Sequence, residues 1–143
     1  MMKLVAEKMT VSKINTVISC DIQKVWGIVT SVENYTWRSD LSKLEVLDET
    51  WFVEYTKNGY PTFFTVTCSE PFMCWEFDME NSNMRGHWVG LFTGRKQETE
   101  IEFTEYVTVK KFNMKPFVKA YLKKHQALFV SDLEKEVFRQ KGV

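Results

Sequence analysis

Residues 11 to 19, VSKINTVIS, are rich in β-branched side chains and predict a first strand. Cys20 and Asp21 stop it, and Asp21 is suited to accept an orphan N–H of a following helix. In that helix Ile22, Val25, Trp26 and Val29 fall at i, i+3, i+4 and i+7, one apolar stripe. Ser31 then predicts a cap for a second short helical turn over Val32 to Tyr35. From about residue 43 to 110 the period changes to that of strands: KLEVLDE, WFVEYT, PTFFTVTC, FMCWEFDM, RGHWVGLF and ETEIEFTEYVTV, separated by turn chemistry. Asn58-Gly59 is the strongest hairpin signal, because that pair accepts the positive φ of a tight reversal, and ENSN at 80 to 83 predicts another. In the last strand Ile101, Phe103, Val107 and Val109 share one face, and Glu100, Glu102, Thr104, Tyr106 and Thr108 the other. The chain closes with a predicted helix from about Asn113 to Gln140, with Pro116 in its first turn. Phe117, Val118, Tyr121, Leu122, His125, Leu128, Phe129, Leu133 and Val137 are its expected inner side.

At 143 residues the chain fits one domain, residues 1–143, with no repeat and no linker. Its aromatic share of 15%, led by 11 Phe and 5 Trp, implies that something large and apolar is lined or filled. Nineteen basic and nineteen acidic residues cancel, which excludes an overall field drawing the chain to nucleic acid. Cys20, Cys68 and Cys74 are an odd set without C-x-x-C spacing, arguing against a disulfide framework and against a zinc site, and fitting a reducing cytoplasm. The opening MMKLVAEKMTVSK lacks the apolar core of an export signal, and no stretch is long and apolar enough for a membrane span, so a soluble cytoplasmic protein is expected.

The order of strand, two short helices, six meandering strands and a long terminal helix resembles the helix-grip fold of the START-related superfamily (SRPBCC). DIQKVWGIVTSVENYTWRSDLSKLEVLDE is similar to that family's opening, and GHWVGLF and TEIEFTEYVTV to its last strands, so that the resemblance spans about residues 11 to 140. It implies an α+β fold: a curved antiparallel seven-stranded sheet wrapped on the C-terminal helix, with two short helices after strand 1. Members bind lipids, hormones, quinones or polyketides, and many bacterial ones are labelled polyketide cyclase or dehydrase. Some act only as partners of other proteins.

The resemblance implies a ligand cavity between sheet and helix with NYTWRSD at its mouth. Tyr55, Phe64, Trp75, Phe77, Phe103, Tyr121, His125 and Phe129 are the expected wall, with Tyr35, Trp37 and Arg38 at the rim. Arg38 either holds one end of a ligand or pairs with Asp40 or nearby acids. His125 interrupts the apolar side of the helix, as a hydrogen-bonded core residue or as a group facing the cavity. His87 alternates with Trp88, Gly90 and Phe92 and is expected on the outer sheet face. Glu98, Glu100, Glu102 and Glu105 read as solvated charge. Alternation also places Glu54 and Glu76 outside, opposite Tyr55 and Phe77. No nucleophile, metal or cofactor signature is present. The function expected is binding of a hydrophobic small molecule, such as a lipid, quinone or polyketide. The alternatives are a cyclase or dehydratase that moves a proton inside the cavity, and a protein-interaction module. Among six clustered lysines, Lys115, Lys119 and Lys123 are candidates for contact with an anionic surface.

Overall fold

The computed structural model describes residues 9–141; the expectation of no export signal in the leading segment lies outside them for residues 1–8. Seven strands, β1 (Thr10–Ile18), β2 (Leu41–Val46), β3 (Trp51–Thr56), β4 (Pro61–Glu70), β5 (Cys74–Glu80), β6 (Met84–Arg95) and β7 (Glu98–Val109), make one curved antiparallel sheet. Its order is β1-β7-β6-β5-β4-β3-β2, so β2 to β7 meander and β1 joins the far edge beside β7. Helix α1 (Ile22–Thr30) links β1 to β2, and a 3-10 turn (Phe112–Phe117) leads into the long helix α2 (Val118–Gln140).

Helix α1 starts as expected: Lys24 N donates to Asp21 Oδ1 at 3.0 Å, and Val25, Ile28 and Val29 are buried against Ile18, Ile101 and Leu133. The second short helix does not form. Ser31 Oγ accepts the amide of Asn34 at 3.1 Å, but residues 32–37 make bends and a turn. One capping bond is worth about 1 kcal/mol. It is outweighed by the burial of Trp37 against Phe129, ring centroids 5.3 Å apart, and by the ion pairs of Arg38. Gly59 takes φ +83° in the turn before β4, the conformation for which Asn58-Gly59 is suited.

Helix α2 is shorter than the sequence pattern predicts, because Pro116 lies in the 3-10 turn; its 23 residues span about 34 Å at 1.5 Å each. Its inner row is also rotated. Val118, Leu122, Gln126, Val130, Leu133 and Val137 are buried, whereas Phe117, Tyr121 and Leu128 are exposed. Gln126 can sit inside because Ser12 satisfies both ends of its amide: Ser12 Oγ donates to Gln126 Oε1 at 2.8 Å, and Gln126 Nε2 donates to Ser12 O at 2.9 Å. The open edge of β1 is tied down by the same helix. Lys119 Nζ reaches Val11 O at 2.5 Å and Lys123 Nζ reaches Lys13 O at 2.8 Å, so these two lysines hold carbonyls of the sheet edge.

Candidate functional site

The concave face of the sheet carries a continuous aromatic row. Phe52 of β3 stacks on Phe64 of β4 at 5.0 Å, Phe64 meets Phe77 of β5 edge-on at 5.2 Å, and Phe77 stacks on Trp88 of β6 at 4.8 Å. Trp88 then touches Phe103 of β7 at 4.5 Å, and Phe103 meets Phe129 of α2 at 5.3 Å. Each strand supplies one ring because alternate residues point to one face. Gly90 makes room for the row: a Cβ there would lie 2.7 Å from the Trp88 ring. Between this floor, α2 and the 31–38 segment lies a cavity of about 90 Å³.

One end of the cavity is polar. Arg38 donates through Nε and Nη2 to the two oxygens of Asp40, both at 3.1 Å, and through Nη1 and Nη2 to Glu54, both at 3.3 Å. Its guanidinium lies 5.0 Å from the centre of the Phe129 ring. His125 Nε2 is 3.0 Å from Asp40 Oδ2. Glu54, Arg38, Asp40 and His125 thus form a connected chain of carboxylate, guanidinium, carboxylate and imidazole. Burial alone would raise the Asp40 carboxyl, but the hydrogen bonds from His125 and Arg38 more than reverse this and hold it well below the usual range. The Asp40 hydrogen bond raises His125 against the opposing effect of burial. Tyr121 covers that histidine from outside, their rings stacked at 5.7 Å.

Glu105 of β7 also borders the cavity and is only 6% exposed. Burial pushes its carboxyl up to about 7, with partial relief from the nearby His125, Gln126 and Arg38. Its Oε1 and the Trp37 Nε1 are buried without a hydrogen-bond partner among the described residues, and both residues line the same cavity.

The segment that forms the cavity rim is pinned to α2 by Asp132, whose Oδ2 accepts from Ser39 N at 2.7 Å and from Ser39 Oγ at 2.8 Å. Asp132→Ala strands both donors, and the expected cost is about 1–3 kcal/mol. Hydrogen exchange of residues 32–40 should speed up in the variant; unchanged exchange would show that the rim is held elsewhere.

Of the expected site residues, Tyr35, Trp37, Arg38, Phe64, Trp75, Phe77, Phe103, His125 and Phe129 border the cavity. Tyr55 does not. The parity of β3 is the reverse of that expected: Phe52 and Glu54 face inward, while Tyr55 points out, its hydroxyl 3.1 Å from Glu45 Oε1. Two adjacent buried apolar residues, Phe52 and Val53, hid the phase of this strand, and the Arg38 pair compensates the inward Glu54. Tyr121 lies outside the cavity, 52% exposed. Glu105, expected as solvated charge, is instead buried and lines the cavity, as do Trp88 and Gln126, which the expected wall did not include. The alternation of β7 does place Glu105 beside Phe103 and Val107, but grouping it with the neighbouring glutamates obscured this. His87, Glu76 and Asp78 sit on the outer face, His87 as expected, with His87 Nε2 3.0 Å from Glu76 Oε1.

No protein-family model and no curated protein matches the sequence. Solved structures do match. A START superfamily protein from Mycobacterium smegmatis superposes with a TM-score of 0.81 at 12% identity, over 93% of this chain and 99% of that one. The Zhui aromatase/cyclase from Streptomyces sp. R1128 gives 0.83 at 8% identity, over 93% and 96%. Norcoclaurine synthase from Thalictrum flavum, in complex with dopamine and hydroxybenzaldehyde, gives 0.76 at 11% identity, over 99% and 94%. The chain therefore has the START-type helix-grip fold.

Proposed function

We propose that the protein binds a small, flat, largely apolar molecule with a polar group, held between the sheet and α2. The observation that carries this reading is the pair of unpartnered buried atoms, Trp37 Nε1 and Glu105 Oε1, on one cavity. A stranded polar atom costs about 1–3 kcal/mol, which a ligand recovers by offering an acceptor to the indole N–H and a donor to the carboxylate. The aromatic row supplies apolar burial at about 25 cal/mol per Å². Arg38, already engaged by two carboxylates, is a support of the wall rather than a ligand handle.

Size narrows the class. A cavity of about 90 Å³ is smaller than the ~150 Å³ that admits benzene, so even a single ring needs the wall to yield, and a lipid, quinone or polyketide chain needs more. The single-ring molecules held by norcoclaurine synthase support ligands of this scale for the fold. A second reading is favoured by Glu105 itself: a cavity carboxyl that titrates near pH 7 suits a general acid or base, and an aromatase/cyclase shares the fold. In this reading Glu105 exchanges the proton, and His125 tunes it through charge.

Thermal shift and calorimetry against single-ring phenols and hydroxybenzaldehydes, with naphthoquinones and fatty acids as larger probes, test the proposal. Binding to the native state alone raises the melting temperature. Trp37→Phe is expected to weaken a binding phenol or aldehyde about two- to tenfold, the worth of one hydrogen bond. A panel without a single shift would overturn the binding reading, and chemical conversion of a bound probe that ceases in Glu105→Gln would select the second.

Among the described residues no helix is long and apolar enough to cross a membrane. We propose a reducing compartment such as the cytoplasm, a reading that the three free cysteines support. With Lys119 and Lys123 tied to β1, contact with an anionic surface rests on Lys115 beside the exposed Phe112 and Phe117.

A further inference from the structure

We propose that Cys68, Cys74 and Glu76 form a binding site for a zinc-class divalent cation on the outer face of the sheet, away from the cavity. Five residues separate the two cysteines in sequence, a spacing that matches no familiar metal motif. The fold brings them together through an irregularity in β4. Val66 pairs with Phe77, which lines the cavity, yet Cys68, two residues on, pairs with Glu76, only one residue back on β5. Directly paired residues share a face, and Glu76 and Phe77 point to opposite faces. The extra residue, Thr67, thus turns Cys68 from the inner face to the outer one, the re-aiming that a β-bulge produces.

Cys74 reaches the same place from the other side of the hairpin. Its thiol donates to Glu76 Oε2 at 2.9 Å. The Cys68 and Cys74 sulfurs and a Glu76 oxygen all lie within 4.8 Å of one another. Around zinc, bonds of about 2.3 Å at tetrahedral angles separate two thiolates by roughly 3.8 Å, so the sulfurs need to close by at most about 1 Å. The three side chains are half-buried, reachable by an ion yet held by the sheet.

Neighbouring groups prepare the carboxylate. His87 Nε2 engages Glu76 Oε1 at 3.0 Å, while His87 Nδ1 lies 2.7 Å from Asp78 Oδ1. The histidine is fixed between two carboxylates and leaves Glu76 Oε2 directed at the thiol. A ligand's far oxygen held by a second residue is the support that metal sites use. Two sulfurs and one oxygen select a borderline or soft ion such as Zn²⁺ over Mg²⁺ or Ca²⁺, which take oxygen ligands. Binding exchanges the two thiol protons for the metal and releases them to solvent; a water molecule takes the fourth position.

The test uses the full chain, stripped by a chelator and titrated with Zn²⁺ in competition with a chromophoric chelator. One ion per chain is expected, with a thiolate-to-metal charge-transfer absorption when Co²⁺ replaces zinc. Zn²⁺ should protect both Cys68 and Cys74 from alkylation, read by mass spectrometry on the unaltered protein. Cys68→Ser and Cys74→Ser are each expected to weaken binding at least a hundredfold, and His87→Gln about ten- to a hundredfold; Cys20→Ser, in the core, should leave it unchanged. Affinity weaker than about 10 μM, absence of protection, or Zn²⁺ binding that survives Cys68→Ser would each overturn the site. The protection measurement decides even if a variant fails to fold.

Discussion

Arg38→Met is expected to cost about 3–5 kcal/mol of stability, because it leaves two carboxylates without the cation that compensates them. The Arg38 and Glu54 side chains are 11% and 14% exposed, and Asp40 is 19% exposed. Methionine fills similar volume against Phe129 but supplies none of the four hydrogen bonds that the guanidinium makes to Asp40 and Glu54. His125 still reaches Asp40, so the charge left most exposed to the loss is Glu54. Adding Glu54→Gln to Arg38→Met should therefore restore part of the stability, a coupling that a double-mutant cycle by denaturant unfolding measures. A loss below about 1 kcal/mol for Arg38→Met would mean that water already solvates the pair and that the arginine is free to hold a ligand. With the loss as large as expected, polar recognition falls to Trp37 and Glu105.

Periodicity made the frame readable where it was long and unbroken. The inner face of β7 follows from Ile101, Phe103 and Val107, and α1 follows from its stripe and the Asp21 cap. It failed where a local competitor altered the phase. In β3 two buried neighbours, Phe52 and Val53, carry opposite faces, so hydrophobicity could not choose between Glu54 and Tyr55 for the cavity. The choice was made by Arg38, sixteen residues earlier in the chain, which no short window connects to Glu54. Gln126 was invisible for the same reason: its partner, Ser12, is 114 residues away, and without it a buried amide is implausible. The bulge at Thr67 had no signature in composition, yet it decides which face Cys68 joins. Long-range polar pairing and backbone irregularity, rather than apolar pattern, set most of the site's chemistry.

Glu105 should impose a pH dependence on stability that runs opposite to that of an ordinary carboxylate. Its folded-state carboxyl titrates near 7 because burial disfavours the charge, against an ordinary value of 4.5. Between those values the native state keeps a proton that the unfolded chain has released, so the slope of stability with pH is negative. At about 1.4 kcal/mol per pH unit, the loss between pH 4.5 and 7 comes to about 3 kcal/mol, after which the curve flattens. His125, raised by Asp40, contributes stability that is present at low pH and lost as pH rises through its folded value, in the same direction. Asp40 acts oppositely but lower, since its contribution is fully present above 3.8. Comparison with Glu105→Gln removes the Asp40 contribution from the difference and leaves of the His125 contribution only its charge coupling to Glu105. The glutamine variant should match the parent near pH 4.5 and exceed it by about 3 kcal/mol at pH 7 in urea unfolding. Parallel curves for the two proteins would show that water reaches the carboxylate and that it is not held in a dry cavity. If the curves diverge, the same ionisation governs the ligand. A phenol donating to Glu105 should bind more tightly above pH 7, where the carboxylate can accept, and that gain should vanish in the glutamine variant.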